Sequence, residues 1–84
     1  MHRTTDRFWR CFRKLPLAIQ KMAEDSFELL KNDPSHPSLH FKKVGKFWSA
    51  RVSIGYRAMA YEDGEDLIWV WIGTHDDYMR MISF

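Results

Sequence analysis

Residues 48–73 read WSARVSIGYRAMAYEDGEDLIWVWIG, and the period of their apolar side chains decides the fold class. Trp48, Ala50, Val52 and Ile54 alternate with Ser49, Arg51 and Ser53. A period of two sends successive side chains to opposite faces of an extended chain, so this run is a half-buried strand with the first set inward. After a tight connection at Gly55, YRAMAYE continues as a second strand. EDGED is a turn signal, because Asp-Gly between apolar runs suits a hairpin loop. Leu67–Gly73 is apolar on both faces and reads as a central or doubly covered strand. LHFKKV, before Gly45, adds a fourth strand at an edge.

Upstream the period lengthens to that of a helix. Phe8, Cys11, Phe12 and Leu15 are spaced i, i+3, i+4, i+7, and Thr5 or Asp6 can cap their helix. Trp9 lies off this stripe and covers an edge. Pro16 opens a second helix, where its missing N–H costs nothing. Ile19, Met22, Ala23, Ser26, Phe27 and Leu30 form its inner side, and Pro34 ends it near Asn32. Both stripes are core. Downstream, Thr74 followed three residues later by Asp77 resembles a capping box for a short helix with Tyr78, Met81 and Ile82 inward. Two helices followed by a meander of three to four antiparallel strands and a short last helix make an α+β domain over 1–84.

Composition narrows the classes. A chain of 84 residues hides only roughly 60% of the surface its unfolded form exposes, but six Phe, four Trp and three Tyr supply a large apolar area. No cofactor is needed to hold such a core. Cys11 is alone, which excludes an internal disulfide and points to a reducing compartment; its plainest role is a small apolar helix residue. No run has the length of a signal peptide or a membrane span, so a soluble cytoplasmic protein is expected. The net charge of +2 conceals a division. Residues 1–57 carry twelve Lys/Arg against five Asp/Glu, and residues 58–84 one Arg against six acids. Between Pro34 and Arg57 lie Lys42, Lys43, Lys46, Arg51 and Arg57, with His36 and His40 and no acid. Such a field suits a phosphate backbone, although a solvated basic face has the same pattern.

Several chemistries are missing from the pattern. His36 and His40 stand at i, i+4, but Pro37 interrupts any helix that would align them, so no metal site is expected. Four glycines form no phosphate-binding loop, and no serine sits in a nucleophile elbow. What remains is Arg51, Arg57 and His75, which converge if the strands form an antiparallel meander. An imidazole suits proton transfer near pH 7, and a guanidinium fork suits the charge of a pentacoordinate phosphorus. That set could cut RNA through its own 2′-hydroxyl. A first-turn residue of a capped helix is the plainer reading of His75, and an exposed strand charge that of Arg51.

The stretch HPSLHFKKVGKFWSARVSIGYRAMAYEDGEDLIWVWIGTHDDY resembles the RelE/ParE superfamily of bacterial type II toxins, especially its RelE-, YoeB- and YafQ-like branches. The likeness rests on Trp48-Ser-Ala-Arg-Val52, Tyr56-Arg-Ala-Met-Ala-Tyr61 and Gly73-Thr-His75, and covers roughly residues 8–82. It implies a metal-independent endoribonuclease that cleaves mRNA in the ribosomal decoding site. It also implies a cognate antitoxin as partner, held in a hetero-oligomer. By position, Arg57 matches the arginine that stabilises the scissile phosphate, Arg51 a strand cation of the same face, and His75 the histidine of YoeB- and YafQ-like members. Lys42 and Lys43 match backbone-binding lysines, to which the basic window adds Lys46 and His40; Tyr78 stands in for a terminal tyrosine.

The chain also departs from that pattern. Ser38 stands where YoeB-like members carry a glutamate, Ser49 where RelE has a lysine, and Asp76 where a tyrosine follows the histidine. The opening strand is expected to be cut short. A ParE-like inhibitor of DNA gyrase and a catalytically silent, antitoxin-binding homologue are therefore the alternatives to a nuclease.

Overall fold

The computed structural model describes residues 1–83. In chain order the elements are β1 (His2–Thr4), α1 (Asp6–Arg13), α2 (Leu17–Asn32), a 3-10 turn (Pro37–Leu39), β2 (Lys42–Val44), β3 (Phe47–Ser53), β4 (Tyr56–Asp63), β5 (Asp66–Thr74) and α3 (His75–Ile82). They form the expected α+β arrangement, with one strand more than the periodicity indicated. The sheet order is β1-β5-β4-β3-β2, antiparallel except for β1, which runs parallel to β5. Among the described residues no helix is long and apolar enough to cross a membrane.

Three two-residue loops build the meander, at Gly45-Lys46, Ile54-Gly55 and Gly64-Glu65. Gly45 and Gly64 have φ of 62° and 61° at the first position of the first and third loops, a left-handed conformation that glycine enters without strain. Ile54 was expected inward but is 82% exposed. Strand β3 ends at Ser53, which pairs with Tyr56, so Ile54 sits at a loop tip. Strand β2 is shorter than LHFKKV because His40 adopts φ 44° and breaks the extended run; Leu39, in the preceding turn, is instead a fully buried anchor.

The larger core lies between the sheet and helices α1 and α2. Ala50, Ala58 and Ala60 keep the middle of the sheet low, so that Phe8, Phe12, Ile19 and Phe27 can close over it with Leu30, Val52, Trp69 and Ile72. A second, smaller cluster on the opposite face joins Met59 and Trp71 to Tyr78 of α3. A bulge separates the two tryptophans. The β4–β5 register steps from Met59↔Trp71 to Ala60↔Trp69 and leaves Val70 unpaired, so Trp69 and Trp71 face opposite sides. This is the doubly covered strand that the apolar run predicted. Met22 and Met81, expected inward, are exposed at the margins of their stripes.

Helix α1 is capped as the sequence indicates, by Thr5, whose hydroxyl accepts from the Phe8 N–H at 3.2 Å. The same hydroxyl donates to the Trp69 carbonyl at 3.1 Å and ties the helix start to β5. Strand β1 is bound there too, Leu67 donating to the Met1 carbonyl at 2.9 Å. Its side-chain anchor is His2, whose Nδ1 accepts from the Trp69 indole at 3.0 Å. Burial, then the N-terminal amine and Lys31, hold the His2 pKa below its usual value. The folded protein therefore binds fewer protons at this site than the unfolded chain. Stability is expected to fall as pH drops below about 6.5, the ordinary histidine value, and His2→Gln should flatten that slope in urea titrations between pH 7 and 5. An unchanged slope would remove His2 from the acid response.

Candidate active site

Arg51 of β3 and Arg57 of β4 are direct cross-strand partners, and Arg57 is in turn opposite Gly73 of β5. This pairing depends on a bulge. A regular hairpin closed by Ser53 and Tyr56 would place Arg51 opposite Ala58 and Arg57 opposite Val52, with the two arginines on different faces. The register shift between Arg51 and Ser53 absorbs one residue and brings both guanidiniums to one side. That side is the face opposite α1 and α2, where Met59 and Trp71 also lie.

Strand β5 then delivers His75. Two residues beyond Gly73 the chain turns into α3, capped by the Thr74 hydroxyl, which accepts from the Asp77 N–H at 3.1 Å. The His75 N–H donates to the Gly55 carbonyl at 2.8 Å and fixes the helix start to the β3–β4 loop. Tyr78, one turn on, is buried against Met59 and Trp71, which locks the helix onto the sheet. Its ring lies 6.2 Å from the half-buried His75 ring, centroid to centroid. Among the described residues the Tyr78 hydroxyl has no hydrogen-bond partner, and no buried side-chain polar atom there lacks one, so this hydroxyl is not fully enclosed.

Arg57 is held in a set pose. Its Nη1 donates to the carbonyls of Ser53 at 2.6 Å, Tyr56 at 2.8 Å and Ile54 at 3.4 Å. Burial, and then the like charge of Arg51, hold its pKa below the usual guanidinium value, while the Tyr78 phenol oxygen acts the other way. The group stays a cation at any working pH. The sequence reading missed this grip; its signal is an arginine two residues past a two-residue hairpin loop, within reach of the loop carbonyls. Among the described residues neither arginine has a carboxylate partner, and no cluster of three His, Cys, Asp or Glu side chains could hold a metal ion.

The remaining candidates divide. Lys42 pairs with Ser49, two residues from Arg51, and so belongs to the arginine face. Lys43 pairs with Trp48, belongs to the helix face, and is 3.6 Å from Glu62. Lys46 is exposed in the β2–β3 loop, and His40 is exposed before β2. Glu62, Asp63, Glu65 and Asp66 collect at the other end of the sheet, around the β4–β5 loop, where Asp66 pairs with Arg3 and the N-terminal amine, while Asp76 and Asp77 follow His75 in the first turn of α3.

Gly73 has a steric reason. A Cβ there would lie 2.5 Å from Cζ2 of Trp71, whose indole lies across it. Gly73→Ala is expected to cost about 1–3 kcal/mol, the usual cost of overpacking, in urea unfolding. Trp71→Leu in the same chain should recover part of the loss, and additive losses would contradict the contact.

No protein-family model matches the chain, and no curated protein sequence matches it. Solved structures do. A chain of the RelB–RelE antitoxin–toxin complex from Methanococcus jannaschii superposes with a TM-score of 0.73 at 17% identity, over 94% of this chain and 96% of that one. The YoeB/ParE toxin from Agrobacterium tumefaciens gives 0.67 at 14%, over 88% and 96%. YafQ from E. coli gives 0.65 at 15%, over 93% and 96%. This is the RelE/ParE toxin fold. Within it, the RelE-like sheet places Arg51, Arg57, Tyr78 and His75 around one end of β4 and β5.

Proposed function

We propose that this protein is the toxin of a type II toxin–antitoxin system, an endoribonuclease that cleaves mRNA on the ribosome without a metal. The observation that carries this reading is the Arg51–Arg57 pair. Two like charges directly opposite on a sheet are destabilising, and no carboxylate among the described residues relieves them. An arrangement that costs stability is expected at a functional site, and two guanidiniums side by side suit a phosphate.

In this reading the scissile phosphate lies against Arg51 and Arg57. His75 takes the proton of the ribose 2′-hydroxyl, or gives one to the departing 5′-oxygen. The 2′-oxygen attacks phosphorus, the P–O5′ bond breaks, and the products carry a 2′,3′-cyclic phosphate and a 5′-hydroxyl. The guanidiniums take the charge that develops on the non-bridging oxygens. Tyr78 orients the imidazole and presents its hydroxyl to the phosphate. Lys42 and Lys46 hold the neighbouring backbone, with Lys43 and His40 further out. The toxin acts in the cytoplasm and is silenced by a cognate antitoxin in a hetero-oligomer.

A catalytically silent, antitoxin-binding homologue is the second reading, favoured by the three carbonyls that occupy Arg57 Nη1. Induction in bacteria without an antitoxin separates the two. An active toxin arrests growth, and His75→Ala relieves the arrest with gyrase supercoiling unaffected. Growth untouched by the wild-type chain supports the silent homologue, and stalled supercoiling supports a gyrase inhibitor.

A further inference from the structure

The arginine face carries a second cross-strand pair. Phe47 stands four residues before Arg51 on β3, Tyr61 four residues after Arg57 on β4, and the two are direct partners. Pairing runs without interruption from Phe47/Tyr61 through Ser49/Met59 to Arg51/Arg57, so all three rungs project to the same side. The middle rung is buried, with Ser49 and Met59 each 3% exposed, whereas Phe47 is 36% and Tyr61 38% exposed. Among the described residues neither ring is part of the two core clusters, and α3 covers the β5 side of this face through Tyr78. Lys42 flanks the middle rung, and Lys46 directly precedes Phe47. None of Lys42, Lys46, Arg51 and Arg57 is ion-paired among the described residues.

Exposed rings in line with unpaired cations match what single-stranded nucleic acid needs. Each base has a flat face to stack, and each phosphate a charge to neutralise. We propose that Phe47 and Tyr61 form a base-stacking platform for single-stranded RNA whose reacting phosphate lies at Arg51 and Arg57. The proposal rests on the ribonuclease reading above and adds a second subsite to it. Four residues of strand span about 13 Å. That is roughly four nucleotides of a strand stacked at about 3.4 Å per step, and fewer if it is stretched. The platform therefore acts on oligonucleotides and is out of reach of a dinucleotide. A purely structural pair would only support the sheet, and leucine would serve that role nearly as well.

Binding of uncleavable 2′-O-methyl oligonucleotides by the full chain tests this, with a dinucleotide and an octanucleotide as probes in fluorescence anisotropy. Phe47→Leu and Tyr61→Leu are each expected to weaken octanucleotide binding by about five- to a hundredfold, the range for one lost stacking contact. Dinucleotide binding should not change. If a folded double variant binds the octanucleotide as tightly as the wild type, the platform is overturned while the ribonuclease reading stands. If the wild type binds neither probe, the platform is overturned, and the ribonuclease reading is then decided by cleavage of ribosome-bound RNA. Should the variants fail to fold, photocrosslinking of a bromouridine octanucleotide to the wild type decides: adducts on the peptides bearing Phe47 or Tyr61 support the platform, and adducts confined to other peptides overturn it.

Discussion

Replacing His75 with alanine is expected to slow RNA cleavage by about 10²- to 10⁴-fold, the range that a positioned general acid or base contributes. Stability should move by no more than about 0.5 kcal/mol, as for a substitution away from the core. The contact that fixes the start of α3 is the backbone N–H of residue 75 on the Gly55 carbonyl, which alanine keeps. The helix is held independently by the Thr74 cap and the buried Tyr78 ring. Single-turnover cleavage together with a thermal melt measures both quantities. A rate within about threefold of wild type, far below the 10²-fold minimum, would remove the imidazole from the chemistry. A large fall in stability with a matching loss of rate would make His75 structural.

Trp69→Ala is expected to have the largest effect on the fold. Trp69 is 4% exposed at the middle of β5, lies opposite Ala60, and donates its indole N–H to His2. Large-to-small changes of this kind cost about 3–5 kcal/mol. A domain of this size loses roughly 4–8 °C in Tm per kcal/mol. Strand β1 should loosen as well, because the ring that His2 stacks on is gone. Circular dichroism melts give the size of the effect, and amide exchange at Leu67 and Thr5 reports β1 separately. A loss below about 1 kcal/mol, well under the large-to-small range, would mean that the two helices do not depend on this residue for their seat.

Much of this was legible in the sequence, and the failures share a cause. The helices, the meander and the doubly covered β5 follow from apolar period and from turn residues, which are local signals. Strand β1 is three residues long and has no period to read, and its partner β5 lies more than sixty positions away. The two bulges were invisible for the same reason. A one-residue shift in register changes which face each side chain takes, yet it leaves no mark on composition. Arg51 and Arg57 were therefore legible as cations on neighbouring strands that an antiparallel meander could bring together, and as one face through the family resemblance, but not as direct cross-strand partners. Ile54 was misplaced because alternation was carried one residue past the end of β3. His75 and Tyr78 were readable because a capped helix fixes spacing without reference to the rest of the chain. Phe47 drew no notice and Tyr61 was read only as the last residue of a strand motif, since neither has a partner until the register sets them side by side.

The ends of the cut RNA put the site to its most direct test. Purified protein, incubated in chelator with RNA both free and bound to ribosomes, is expected to yield fragments with a 2′,3′-cyclic phosphate on one side and a 5′-hydroxyl on the other, from the wild type and not from His75→Ala. Fragments ending in 3′-hydroxyl and 5′-phosphate, or RNA left whole in both forms, would contradict the assignment of Arg51, Arg57 and His75 to a phosphate.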